Sequence, residues 1–391
     1  MELSQLNPWV EQEKQHIETV LRQLVDLNTF TANTDGVDAG MEMIKGLAEQ
    51  YNLRTEMINE RHLLVKAGTG QAKPRVLLVS HMDTVHPPES DFKAYHPLAD
   101  GFVEGPGVGD IKGGLVIGFW AMLALQQLHD DIDVQMIISA NEEIGSPTIR
   151  DWYMNGHIDA DYAIGLEPGF PQGDLTPTVP LGVVYQRRGY GAIHFTIHGR
   201  KSHSGTPHLG LNALEASAQR ITRLHQLSQP DQGYTVTVGM LEGGTAPNTV
   251  PGTATGTVSW RFERLEDGER LRDEISAILE AQYVHNAEFD QWDSADYDLR
   301  TFIPPMERSE RNQKLVDIVL EEAERLQQNV VPIARGGGSD ANFVSKSGTP
   351  AICGMGAPAQ GIHTDQEKIY LPGLFDRVQL LASTLYRLYT A

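Results

Sequence analysis

Val76-Leu77-Leu78-Val79-Ser80-His81-Met82-Asp83 decides how this chain is read. Four apolar residues in a row, without polar alternation, mark a strand buried on both faces by helices. The run is followed at once by His81-Met82-Asp83. In an open α/β sheet, ligands bind beyond the carboxyl ends of the strands. Three more apolar runs end in the same way. Residues 134–140 lead to Asn141-Glu142-Glu143, 162–166 run into Glu167-Pro168, and 351–355 pass through a Gly/Pro loop to His363-Thr364-Asp365. A fifth segment, Glu104-Gly105-Pro106-Gly107-Val108-Gly109-Asp110, feeds a helix at about 115–128, and its glycines permit turns that bring Asp110 to the same edge.

The surrounding composition bounds the function. Of 391 residues, 31 are Lys or Arg and 52 Asp or Glu, a net charge of −21. Such an excess speaks against nucleic acid or an anionic membrane as partner, because both need a basic patch. One cysteine, Cys353, excludes an internal disulfide and a Cys-based metal cage. The opening Met-Glu-Leu-Ser-Gln-Leu-Asn-Pro has neither a basic region nor an apolar run, so no secretory signal is expected. No run of ~18 uncharged apolar residues is evident, so no membrane span is expected. The expectation is a cytoplasmic enzyme-sized globular protein.

Organisation follows from a change of period. An amphipathic helix begins near Pro8, with Val10, Ile17, Val20, Leu21 and Leu24 on one stripe. From about Val183 the strands alternate, as in Ile193-His194-Phe195-Thr196-Ile197-His198, the pattern of an antiparallel sheet covered on one side. Helices near 211–227 and 265–280 and strands near 234–241 and 254–263 complete an α+β module. The earlier pattern returns after Pro304-Pro305, with a helix at about 312–326. A discontinuous α/β domain, 1–181 and 304–391, with an insertion at 182–303 is predicted.

His81, Asp110, Glu143, Glu167 and His363 are too many ligands for one tetrahedral zinc but suit two ions that share a carboxylate. Asp110 is the natural bridge, because a bridge must offer two oxygens. Ions ~3.5–4 Å apart would lower the pKa of a water between them from ~15.7 towards ~7. Glu142, next to Glu143, is the candidate general base, a role that typically contributes ~10²–10⁴-fold. Asp83 could accept the imidazole N–H of His81 and fix its tautomer. His86 and His96 read as loop residues. The glycine loop lacks the spacing of a phosphate loop, there is no His-Glu-x-x-His, and there is no Gly-x-Ser-x-Gly elbow.

Ser80-His81-Met82-Asp83-Thr84-Val85, Gly107-Val108-Gly109-Asp110-Ile111-Lys112-Gly113-Gly114, Asn141-Glu142-Glu143-Ile144-Gly145-Ser146 and Leu166-Glu167-Pro168 resemble the M20 family of co-catalytic zinc metallopeptidases. Gly199-Arg200-Lys201-Ser202-His203-Ser204-Gly205 and Arg335-Gly336-Gly337-Gly338-Ser339-Asp340 match in type and order. The nearest look is to the glutamate carboxypeptidase branch. The resemblance implies a phosphorylase/hydrolase-like catalytic domain holding two Zn²⁺, with an inserted lid and dimerisation domain of a four-stranded antiparallel sheet and two helices. It implies His81, Asp110 and Glu167 on one ion and Asp110, Glu143 and His363 on the other, so that each ion has one His, one terminal carboxylate and a share of the bridge. It also implies Glu142 as base, Asp83 as support and a cis peptide at Asp110–Ile111. His203 and Asn248 would reach the site of a partner subunit as oxyanion donors.

In the resembled family a Glu at position 167 goes with carboxypeptidases and deacylases, and an Asp with aminopeptidases. Arg261 and Arg335, with Gly338 of the glycine run, are therefore candidates for holding a substrate carboxylate. Ile303 stands where glutamate-specific relatives carry Arg, which argues against C-terminal glutamate specificity. The expected substrate is a small peptide or an N-acyl amino acid, cleaved at the amide to the C-terminal residue. A dedicated deacylase of one metabolite and a non-catalytic metal-binding scaffold are the alternatives. Co²⁺ or Mn²⁺ could replace zinc, since His/carboxylate sites accept several divalent ions.

Overall fold

A computed structural model describes residues 3–155 and 157–390. They form two units: 1–186 with 308–335 and 339–391, and 187–307 with 336–338. The insertion thus begins and ends a few residues later than 182–303. Strand Leu181–Arg187 pairs with Phe170–Pro171, and Val184 exchanges both backbone hydrogen bonds with Cys353, which ties that stretch to the first unit. Met306 and Arg187 exchange bonds at the other boundary.

The first unit is built on a six-stranded sheet in the order Arg54–Ile58, His62–Gly68, Asp133–Ser139, Val76–His81, Tyr162–Gly165, Ala351–Ile352. The first three pair antiparallel and the last four parallel. Register places His81 beside Ser139 and Val79 beside Gly165, so the chain leaves three neighbouring strands at one edge. Val76–His81 is buried at every position, as its unbroken apolar run requires.

Helix Gly114–Leu128 packs against Leu6–Asp26 and Leu371–Thr390. Among the described residues, the stretch 108–128 is long and apolar enough to cross a membrane, contrary to the expectation that none is. Its most apolar window is wholly buried, so the core accounts for its composition. Gly114 opens the helix where an added Cβ would lie 1.9 Å from the Leu166 carbonyl oxygen. This close approach holds the Asp110 segment against the strand end that carries Glu167. Gly114→Ala is therefore expected to destabilise the protein by about 1–3 kcal/mol through overpacking, read as a lower urea midpoint at unchanged m-value.

The second unit carries a four-stranded antiparallel sheet in the order Tyr234–Gly243, Thr253–Phe262, Gly189–His198, Ser294–Ile303. Helices Ala213–Gln226 and Leu265–Glu280 cover one face through Phe195, Trp260, Phe262, Leu224, Leu271 and Ile275. That is the single-sided sheet the alternating pattern predicts. Arg220 and Asp293 form a fully buried ion pair at 2.5 Å beneath it.

Candidate metal centre

The five expected ligands converge at one edge of the first unit's sheet. His81 Nε2 lies 3.3 Å from Asp110 Oδ1 and 3.8 Å from Glu167 Oε1. His363 Nε2 lies 3.2 Å from Asp110 Oδ2 and 3.3 Å from Glu143 Oε2. Two groups capable of holding a metal ion result, His81/Asp110/Glu167 and Asp110/Glu143/His363, each with its ligand atoms within 4.8 Å of one another. Asp110 belongs to both and offers a different oxygen to each imidazole. Glu142 belongs to neither, although its Oε2 lies 3.9 Å from His81 Nε2.

Local backbone explains the placement. Gly107 enters the Asp110 turn at φ 72°, where an L side chain would be strained and a Cβ would meet Thr84 Cγ2 at 2.5 Å. The Asp110–Ile111 peptide is cis, as the resemblance implied. His363 stands at φ 64°, a left-handed conformation that costs a non-glycine residue roughly 1–2 kcal/mol. Such strain persists where surrounding structure imposes it, and it clusters at functional sites.

Asp83 does more than its place in the sequence implies. Its carbonyl oxygen lies 3.0 Å from His81 Nδ1 and its carboxylate 3.3 Å, on the ring nitrogen that faces away from Asp110. The same carboxylate accepts the backbone N–H groups of Glu142 (3.0 Å) and Glu143 (3.2 Å) and the Thr31 hydroxyl (2.7 Å). One buried side chain therefore fixes a ligand and the turn that carries both glutamates. Two carboxylates that the sequence pattern does not mark as site components, Asp340 and Glu367, also belong here. Asp340 is buried under this turn and accepts hydrogen bonds from Ser139 Oγ (2.6 Å), Tyr153 OH (3.1 Å) and Ser146 Oγ. Its position just after the glycine run in 336–338 is the signal that could have found it.

The electrostatics call for cations. Burial raises the Glu142 pKa well above the ordinary value; His81 opposes this, while Glu167, Asp340 and Glu143 add to it. Burial also raises Glu143 and Asp340. Burial works against a charged His81, yet Asp110 and Asp83 outweigh it and lift its pKa well above 6.5. Asp110 and Glu143 hold His363 up at about 11. His81 Nε2, Asp110 Oδ1 and Glu143 Oε1 are buried without a hydrogen-bond partner, and these atoms come from both ligand groups. Orphaned buried donors and acceptors are costly, and metal coordination satisfies them. The donor set fits two ions.

The other candidates belong elsewhere in the chain. In the second unit, His203 is exposed on the short ladder Ser202–His203 with Thr249–Val250, its Nδ1 accepting from Gly205 N at 3.0 Å. Asn248, also exposed, accepts from Ser204 N at 2.9 Å through its carbonyl oxygen. Arg261 lies 4.2 Å over the Tyr190 ring and donates to Gly336 O, and Gly338 O accepts from Arg187 at 3.3 Å. In the first unit, Arg335 ends strand Val330–Arg335 and lies 3.9 Å over the Phe170 ring. His86 is not a plain loop residue: it is buried and bonded to Glu367 at 2.9 Å.

Comparisons with known proteins identify the family. The model of peptidase family M20/M25/M40 matches residues 77–387. Carboxypeptidase G2 of Pseudomonas sp. (strain RS-16) is 25% identical over 361 residues, covering 88% of this chain and 82% of its own. Succinyl-diaminopimelate desuccinylase of Bordetella parapertussis is 27% identical over 382 residues, 91% of this chain and 94% of its own. A tripeptidase structure from Staphylococcus aureus superposes with a TM-score of 0.78 at 21% identity over 97% of this chain and 99% of that one, which establishes the shared fold. The chain belongs to peptidase family M20/M25/M40 and is a metallo-hydrolase of that family.

Proposed function

We propose that this protein is a two-metal hydrolase that cleaves the amide bond to a C-terminal amino acid in small peptides or N-acyl amino acids. The observation that carries the reading is the pair of ligand groups sharing Asp110, with buried unsatisfied atoms contributed by both. Two divalent cations held there, Zn²⁺ in the first instance, would lower the pKa of a water towards ~7 and polarise the substrate carbonyl.

The chain's own residues supply the rest. Glu142 is left out of both groups yet lies beside them, so its carboxylate is placed to take a proton from the attacking water. The water oxygen bonds to the carbonyl carbon, the C–N bond breaks, and Glu142 hands the proton to the departing nitrogen. Asp83 keeps the His81 ring and the Glu142 amide in place meanwhile. In this reading His203 and Asn248 donate to the developing oxyanion at the site of a partner subunit. Arg261, Arg335 and Gly338 are the candidates for holding the substrate carboxylate, and the Arg261 and Arg335 guanidiniums each rest on an aromatic face. A homodimer through the 187–307 unit is part of the same reading, supported by Met240 and Leu241 exposed on its edge strand.

Similarity to a desuccinylase and to acetylornithine deacetylase of Myxococcus xanthus, 28% identical over 282 residues, favours a second reading, removal of an acyl group from one metabolite. A metal-loaded screen of dipeptides, tripeptides and N-acyl amino acids separates the two. Turnover across several members with a free C-terminal carboxylate is expected. Hydrolysis of a single acylated metabolite supports the second reading, and turnover only of amides without that carboxylate overturns the first. Chelation with 1,10-phenanthroline should abolish turnover, and added Zn²⁺ or Co²⁺ should restore it.

A further inference from the structure

Glu367 lies four residues beyond His363 and is completely buried. Its Oε1 accepts the backbone N–H groups of Gly109 (2.8 Å) and Asp110 (2.9 Å). Its Oε2 accepts the N–H of Gly107 (3.0 Å) and lies 2.9 Å from His86 Nε2. One carboxylate thus gathers three amides from the turn that presents Asp110, and a fourth donor from the loop after Asp83. The backbone repeats the link. Gly105 N donates to Glu367 O at 3.2 Å, and Lys368 pairs with Glu104 in the adjoining antiparallel ladder. Lys112, also buried, donates to Leu27 O and Pro106 O. Burying an anion is expensive unless several donors converge on it, and here they do.

The consequence is geometric. Asp110 is the only residue common to both ligand groups, and His363 belongs to one of them. Glu367 fixes the amide of the first and closes the turn that comes after the second, its own N–H bonding to Thr364 O at 3.3 Å. The two segments approach the ions from opposite ends of the sequence. Without a tie, the spacing between Asp110 and His363 would depend on two loops relaxing independently.

We infer that Glu367, backed by His86, is a positioning clamp that presets the Asp110–His363 half of the metal centre and so sets metal affinity; the inference rests on the two-ion reading above. Glu367→Gln tests it at nearly constant volume. One amide oxygen can still accept two bonds, but the –NH₂ must face either the Gly109 and Asp110 N–H groups or the Gly107 N–H, donor against donor. The probe is Co²⁺, with affinity measured against a competing chelator and geometry by visible absorption. Loss of a partner that orients a ligand typically weakens metal binding by about 10–100-fold, and that loss, with an altered cobalt spectrum, is expected. Glu367→Asp, which keeps both oxygens, should recover part of it. A purely structural staple would lower the melting temperature of the metal-free protein and leave cobalt affinity and spectrum at wild-type values; that result overturns the clamp. If Glu367→Gln does not fold, His86→Ala decides, since it removes one donor of four. A measurable loss of cobalt affinity supports the inference, and wild-type affinity refutes it. Wild-type protein that takes up fewer than two cobalt ions brings down the two-ion reading itself, an outcome visible before any variant is compared.

Discussion

Glu142→Gln should lower kcat by about 10²–10⁴-fold, the range a general base and acid contributes, while the protein still binds two metal ions per chain. The expectation rests on where the carboxylate lies. Glu142 and Glu143 are adjacent in sequence and share one turn, but only Glu143 reaches a ligand group, through an oxygen 3.3 Å from His363 Nε2. Glu142 is directed to the other side of that turn, with Oε2 3.9 Å from His81 Nε2. Asp83 holds both amides, so an isosteric change at one side chain leaves the other in place. Gln matches the shape of Glu and cannot accept a proton at neutral pH. Loss of kcat with near-wild-type KM and full metal content, measured by atomic emission, is the expected pattern. Loss of metal in this variant would mean that Glu142 is itself a ligand.

Asp110→Ala should have the larger effect on the centre as a whole. Its two oxygens serve different imidazoles at 3.3 and 3.2 Å, and both candidate groups drop to two members without it. Partners that merely orient ligands change metal affinity by about 10–100-fold, so removing a shared ligand should cost at least about 10²-fold. Metal content after dialysis should fall from two ions to one or none, and turnover should fall to background. Asp110→Asn is the informative companion: it keeps one ligating oxygen and replaces the other with a nitrogen donor. It should retain one ion more readily than the second.

Much of this site is legible in the residues because its ligands sit directly at strand ends. An unbroken apolar run such as 76–79 leaves little freedom in where it stops, and the residues just past the stop are displayed at the sheet edge. His81, Glu143 and Glu167 can be named on that ground, Asp110 joins them through the glycine turn that feeds the helix after it, and His363 through the run at 351–355. That run is in fact a two-residue strand, Ala351–Ile352, with a bridge from Cys353 to Val184 and a turn at Gly354 with φ 80° beyond it. The antiparallel edge of the sheet is less visible. Arg54–Ile58 carries Arg and Glu because its outer side faces solvent, so its composition resembles a loop.

The residues that the sequence hides act on partners remote in the chain. Glu367 sits in Asp365-Gln366-Glu367-Lys368, which reads as a solvated charged run, and its partners are amides 257 to 260 residues away. No spacing rule links a side chain to the N–H groups of a distant glycine turn. Asp340 and His86 have side-chain partners just as remote in sequence: the hydroxyls of Ser139, Ser146 and Tyr153 for the first and the Glu367 carboxylate for the second. Sequence spacing ties Asp83 to one imidazole, whereas its carboxylate also serves Glu142, Glu143 and Thr31. A carboxylate has about four lone-pair sites, and a buried one fills them.

Anomalous diffraction at the zinc edge, from crystals soaked in Zn²⁺, tests the central claim most directly. Two peaks roughly 3.5–4 Å apart are predicted, one among His81, Asp110 and Glu167 and the other among Asp110, Glu143 and His363, with Asp110 between them. A single peak, or two peaks that do not share Asp110, would contradict the two-metal account.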